Sequence, residues 1–303
     1  MTLAVNRARA AFTRACALDV LVRKPGNVSV QSSGHGMDAA VFLASAAAAA
    51  DPLCAPGARV GLRIEGGVQA TWAVAGCNTN LGILLLCAPL ALAVEQRPQV
   101  RTADQLRAAL IEVLADLDQE DARATYRGIA HANPGGLGTA TDQDVHEVPS
   151  VDLRAAMALA ADRDSIALQY VDGYALVFDV GVTALGAEFR PGVTDPAADP
   201  LVPASAHLPN PSAATTAAVQ RAYLALLAAA PDSHIARKRG VLTANAVMQQ
   251  ALTWQARARA GAELDADPGF AAWDAALKAE GINPGTTADL LAASMMVAGL
   301  IEA

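Results

Sequence analysis

Residues 81–94 read LGILLLCAPLALAV, an apolar run broken only by a glycine near its start and a proline in its middle. A helix of about 20 residues is needed to cross roughly 30 Å of hydrocarbon, so this run is too short to span a membrane. A helix that is apolar on every face belongs instead at the centre of a larger core. The expected fold is arranged around it.

Alanine crowds both flanks of the run, whereas valine, isoleucine and aromatics are thin outside a few segments. Alanine is the strongest helix former and the β-branched and aromatic residues favour strands, so the class is all-α, with little or no β. Apolar periodicity and Pro/Gly punctuation predict helices over 2–22, 37–50, 79–95, 102–116, 119–131, 151–162, 165–182, 213–229, 234–259, 268–280 and 285–301. Residues 59–71, RVGLRIEGGVQAT, alternate weakly around Gly66-Gly67 and read as a short hairpin, while 174–180, YALVFDV, read as helix rather than strand. The proline-rich stretch 190–211 is an irregular connection, because proline lacks a backbone donor and fixes φ. No compositional change accompanies it, so residues 1–303 are expected to form a single multi-helix domain.

Composition narrows the function. The chain has 303 residues, 53% hydrophobic and 17% charged, with a net charge of -8. It can bury a sizeable core and is not a disordered polymer. An acidic chain without Lys/Arg clusters makes a poor nucleic-acid binder, since a duplex must be met by cations that displace its counterions. Cysteines 16, 54, 77 and 87 form no CxxC pair and read as small apolar residues in a reducing cytoplasm. The N-terminal Arg7, Arg9 and Arg14 interrupt any signal-peptide core.

The chemistry is expected in turns that lead into helices. In RKPGNVS (23–29), Lys24 is a cation suited to phosphate, and Gly26 beside Asn27 lets a ligand approach the backbone. His35 and Asp38 in GHGMD (34–38) stand three apart at a helix start, although Asp38 also suits an N-cap. In GCNTNLG (76–82), Asn78, Thr79 and Asn80 supply more hydrogen-bonding groups than one cap requires, just before Gly82 and the apolar run. In NPGTTAD (283–289), Asn283 caps, Gly285 and Thr286 open the last helix, and Asp289 falls about one turn inside among apolar neighbours. Open helix amides favour a phosphate or a hydroxyl. Arg127, and Arg237 with Lys238, are further candidate phosphate contacts, although a cationic run is equally a solvated face. No HExxH, GxSxG or Cys/His metal spacing is present.

KPGNVS, HGMD, GCNTNLG and NPGTTADLLAA, in this order, resemble the triphosphoribosyl-dephospho-CoA synthase family over about residues 14–300. The resemblance implies a helical enzyme that moves the triphosphoribosyl group of ATP onto a dephospho-CoA-like acceptor and releases adenine. It implies Mg²⁺ at Asp38 and Asp289, with His35, Asp38 and Asp289 catalytic. Where better-known members tend to have Asn-Thr-His-Lys-Gly, this chain has Asn78-Thr79-Asn80-Leu81-Gly82, which leaves the acceptor open. AHANPGGLG, AADRDSIALQY and PDSHIARKRG look like a divergent branch linked to methanopterin- and methanofuran-type cofactor assembly. That alternative makes the enzyme a transferase on a phosphorylated intermediate; a non-catalytic nucleotide binder is the second alternative. The expected partners are small-molecule substrates, no nucleic acid, no membrane, and at most a second copy of the chain.

Overall fold

A computed structural model describes residues 2–34, 37–135, 138, 142–189 and 210–301. Helices follow in the order α1 (Leu3–Leu21), α2 (Ala39–Leu53), α3 (Val60–Ala75), α4 (Leu81–Gln96), α5 (Ala103–Ala115), α6 (Gln119–Ala132), α7 (Leu153–Ala158) and α8 (Ser165–Asp172). A π-helical segment (Leu176–Val182) then runs into the single turn α9 (Thr183–Leu185). After it come α10 (Ala213–Ala229), α11 (Ser233–Arg239), α12 (Val241–Arg259), α13 (Pro268–Ala279) and α14 (Gly285–Ile301). Among the described residues there is no strand, only two isolated bridges, Ser29 with Ser32 and Gly34 with Met37. The protein is all-α, and no described helix is long and apolar enough to cross a membrane.

The apolar run becomes α4, buried on nearly every face and packed against α1, α3, α5 and α14. Its proline creates a specific problem. Pro89 has no N–H for the carbonyl of Leu85, four residues back, and that carbonyl is buried. Tyr170 on α8 solves it by donating its hydroxyl to Leu85 O at 2.6 Å. Tyr174 donates to the neighbouring Leu86 O at 3.0 Å. Two of the chain's four tyrosines thus donate to consecutive carbonyls one turn before Pro89.

The hairpin expected over 59–71 does not form; the segment is the first three turns of α3. Its glycines serve helix packing instead of a turn. A Cβ on Gly61 would fall 2.4 Å from the backbone oxygen of Asp121 on α6, and one on Gly128 of α6 would meet Glu65 Cα at 3.3 Å. Alternation was thus a by-product of glycines placed where two helices cross. Arg59 and the Gly61 amide both bind the Asp121 carboxylate, fixing that crossing. The buried Arg63 ties the end of α2 to α4 through Leu53 O and Glu95.

Two long predicted helices are broken. Over 165–182, Gly173 and Tyr174 adopt φ of 69° and 62°, and the chain resumes as the π-helix. Over 234–259, Gly240 at φ 90° separates α11 from α12. Most of the expected connection, 190–209, lies outside the described residues. All four cysteines are free thiols, and Cys16, Cys54 and Cys87 are buried.

Candidate active site

A cleft of about 910 Å³ opens where the turn before α4, the start of α14, the end of α6, the start of α8, and α11 converge. The turn begins at Gly76, which ends α3 with φ 64°. Asn78 Oδ1 then accepts from Leu81 N at 3.1 Å and caps α4. Asn80 is buried, and its Oδ1 accepts from the Thr71 hydroxyl at 3.0 Å. Asn78, Thr79, Asn80 and Gly82 all line the cleft.

Asn283, Gly285, Thr286 and Asp289 bring the start of α14 to the same space. Asp232 anchors that start: its Oδ2 accepts from both the N–H and the hydroxyl of Thr287, each at 2.7 Å, while its Oδ1 caps α11 at Ile235. Ser233 Oγ donates to Thr286 Oγ1 at 2.9 Å. The loop before α14 is held from the other side, where Asn27 Nδ2 donates to Asn283 Oδ1 at 2.9 Å.

Asp289 is seated directly on Gly82. A Cβ at residue 82 would lie 2.1 Å from Asp289 Oδ2, so only glycine leaves room for this carboxylate at the amino end of α4. Among the described residues no hydrogen bond or ion pair reaches it. Burial, followed by the charges of Asp19, Asp232 and Asp164, holds its carboxyl well above the ordinary range, and Lys24 opposes the shift. A cation arriving in the cleft would relieve that field.

Cations also line the cleft. Arg237 and Lys238 on α11 line it, as does Arg163. Arg237 pairs with Asp164 at 3.3 Å, and Asp164 Oδ1 also caps α8. Phe42, Trp72 and Tyr126 are aromatic residues of its lining, and the His131 ring packs on Trp72 at 5.0 Å.

Four of the expected site residues have other positions. Lys24 is fully buried and paired with Asp19 at 2.9 Å, with a further bond to Asn27 Oδ1 at 2.6 Å. Its charge supports the cleft wall from behind, since Asp19 and Asn27 line the cleft and Lys24 does not. Gly26, at φ 82°, packs against the Pro284 ring, and its N–H donates to Asp274. Arg127 forms a two-bond pair with Glu65 on the outer face of α6. Asp38 is exposed and caps α2 through Val41 N, while its neighbour Met37 reaches the cleft. His35 lies outside the described residues.

Sequence reading missed Asp19, Trp72 and Tyr126, which line the cleft; Arg163 and Asp164 line it too, and the sequence marks them only as part of a polar turn. A carboxylate inside the apolar stretch ALDVLV was the available signal for Asp19. Any metal would rest on few protein ligands, because no group of three or more His, Cys, Asp or Glu suited to one exists among the described residues.

By class, this is an all-helical protein whose cleft combines cationic and aromatic side chains with the open ends of helices. The profile of the ATP:dephospho-CoA triphosphoribosyl transferase family, CitG, matches residues 5–303, and the chain belongs to that family of transferases. Its fold is shared with a solved structure from Archaeoglobus fulgidus, designated a "putative triphosphoribosyl-dephospho-coA synthase". The two chains are 22% identical and superpose with a TM-score of 0.62 over 86% of this chain and 99% of the other. A comparison with curated proteins returns no significant match.

Proposed function

We propose that the enzyme transfers the triphosphoribosyl group of ATP to a hydroxyl of a dephospho-CoA-like acceptor and releases adenine. The observation that carries this reading is Asp289, a carboxylate set on Gly82 that has no hydrogen-bond or ion-pair partner among the described residues, in a cleft that Arg237 and Lys238 also line. In the reaction the acceptor oxygen bonds to C1′ of the ribose, the C1′–N9 bond breaks, and the proton lost by the hydroxyl is balanced by one taken up by adenine. Positive charge develops at C1′ as the base departs, and a nearby carboxylate stabilises it. Asp289 supplies that charge once cations brought into the cleft offset the field that otherwise keeps its proton on. Arg163, Arg237 and Lys238 receive the triphosphate, and Trp72 and Tyr126 offer faces to the purine. His35, two residues before Met37 of the cleft wall, is the proposed proton carrier.

Mg²⁺ fits this donor set. Oxygen ligands suit it, and one or two carboxylates suffice when phosphates and waters complete the shell. Asp289 would hold it, since Asp19 and Asp164 are already paired with Lys24 and Arg237. Bound there, the ion would neutralise phosphate charge.

Incubation with ATP, Mg²⁺ and dephospho-CoA, followed by chromatography of the bases and nucleotides, tests the reaction. Free adenine is expected. ADP, AMP or diphosphate without adenine would reject it.

A further inference from the structure

Of the three adjacent polar side chains before α4, only Asn78 is used up by capping. Thr79 Oγ1 and Asn80 Nδ2 are both shielded from solvent and have no hydrogen-bond partner, although both residues line the cleft. Asn80 is 5% exposed and Thr71 3%. A buried donor left unsatisfied is costly, and a folded protein keeps one where something else completes it. The amide's direction is set from behind. Thr71, on the last turns of α3, donates its hydroxyl to Asn80 Oδ1 at 3.0 Å, which fixes the amide by its oxygen and leaves Nδ2 as its unpaired end.

We infer that Thr71 is a positioning residue: it holds the Asn80 amide so that Nδ2, together with the Thr79 hydroxyl, forms a donor pair for one oxygen acceptor of the bound nucleotide, a phosphate oxygen or a ribose hydroxyl. The inference takes from the proposed function only that the ligand is a nucleotide. The donor pair adjoins the first turn of α4, whose open amides favour the same acceptor chemistry. It also lies two to three residues before Gly82, the residue on which Asp289 is seated.

Calorimetric titration of the whole protein with ATP reads this directly, without turnover. Thr71→Val keeps the shape and removes the hydroxyl, so ATP should bind about tenfold more weakly, the loss of one hydrogen bond, while the melting temperature moves little. Thr71→Ser restores the hydroxyl and should restore affinity. Asn80→Asp still accepts from Thr71 but presents an oxygen where Nδ2 was, and should lose more than about tenfold. Titrations with adenosine and with inorganic triphosphate identify the acceptor: a loss confined to triphosphate assigns it to phosphate, and one confined to adenosine assigns it to the ribose. Unchanged ATP affinity in both Thr71→Val and Asn80→Asp, or a loss in Thr71→Val that Thr71→Ser does not recover, overturns the inference. Absence of adenine from the reaction would overturn the proposed function and leave these affinities to stand or fall separately.

Discussion

Lys24 and Asp289 show how differently two charged residues can be used within one site. Lys24 has no exposed surface and neutralises Asp19. Removing one member of a buried pair strands the other, so Lys24→Met should lower unfolding free energy by about 3–5 kcal/mol in a urea titration. A direct phosphate contact would instead weaken ATP binding at nearly unchanged stability. Asp289 behaves in the opposite way. Its folded-state carboxyl is raised above its ordinary range, so the native state holds this proton more tightly than the unfolded chain does. The resulting stabilisation is complete below the unfolded value and is lost as pH rises through the folded one. Asp289→Asn should therefore raise the melting temperature at about pH 8 more than at about pH 5, while abolishing most turnover. A lower melting temperature in that variant at the higher pH would mean that the carboxylate is structurally paired. Both residues stood out in the sequence because they flank turns. Which of them faced the ligand depended on burial between α1 and α14, contacts formed by residues more than 250 positions apart, which local spacing does not encode.

Helices were legible where apolar periodicity was long and punctuation clear: α10 begins and ends at the expected residues, and α4 deviates by two at its start and one at its end. They were misread where glycine had two meanings. Gly66-Gly67 was taken as a turn signal, yet α3 runs through it because these glycines admit Pro52 and Leu84 at close range. Gly240 truly ends a helix, and the sequence offers no local mark that separates the two cases. The partnership of Pro89 with Tyr170 makes an element-level claim testable. Tyr170→Phe leaves Leu85 O buried without a donor and should cost about 1–3 kcal/mol, measured by thermal or urea unfolding. Gly82→Ala acts between α4 and α14: the new methyl cannot coexist with Asp289 in place, so turnover should fall by about a hundredfold, since a displaced reacting group is costly even at small shifts. Better helix propensity at residue 82 would only offset part of the strain.

At the scale of the molecule, one continuous apolar core draws on most of the helices and leaves polar chemistry to their ends. That division made the fold class and the general place of the site readable, because polar turns in an apolar chain are few. The membership of the site was less readable, since Trp72, Tyr126 and Asp19 come from helix interiors whose facing is decided only by packing. The central claim is that this cleft breaks the bond between ribose and adenine and keeps the triphosphate on the transferred group. Mass spectrometry of the acceptor together with chromatographic quantitation of adenine in the same reaction tests it most directly. The predicted result is a dephospho-CoA product heavier by the intact triphosphoribosyl group, with one adenine released for each acceptor consumed. An acceptor that gains only phosphoryl or adenylyl mass, with adenine still bound to ribose, would contradict it.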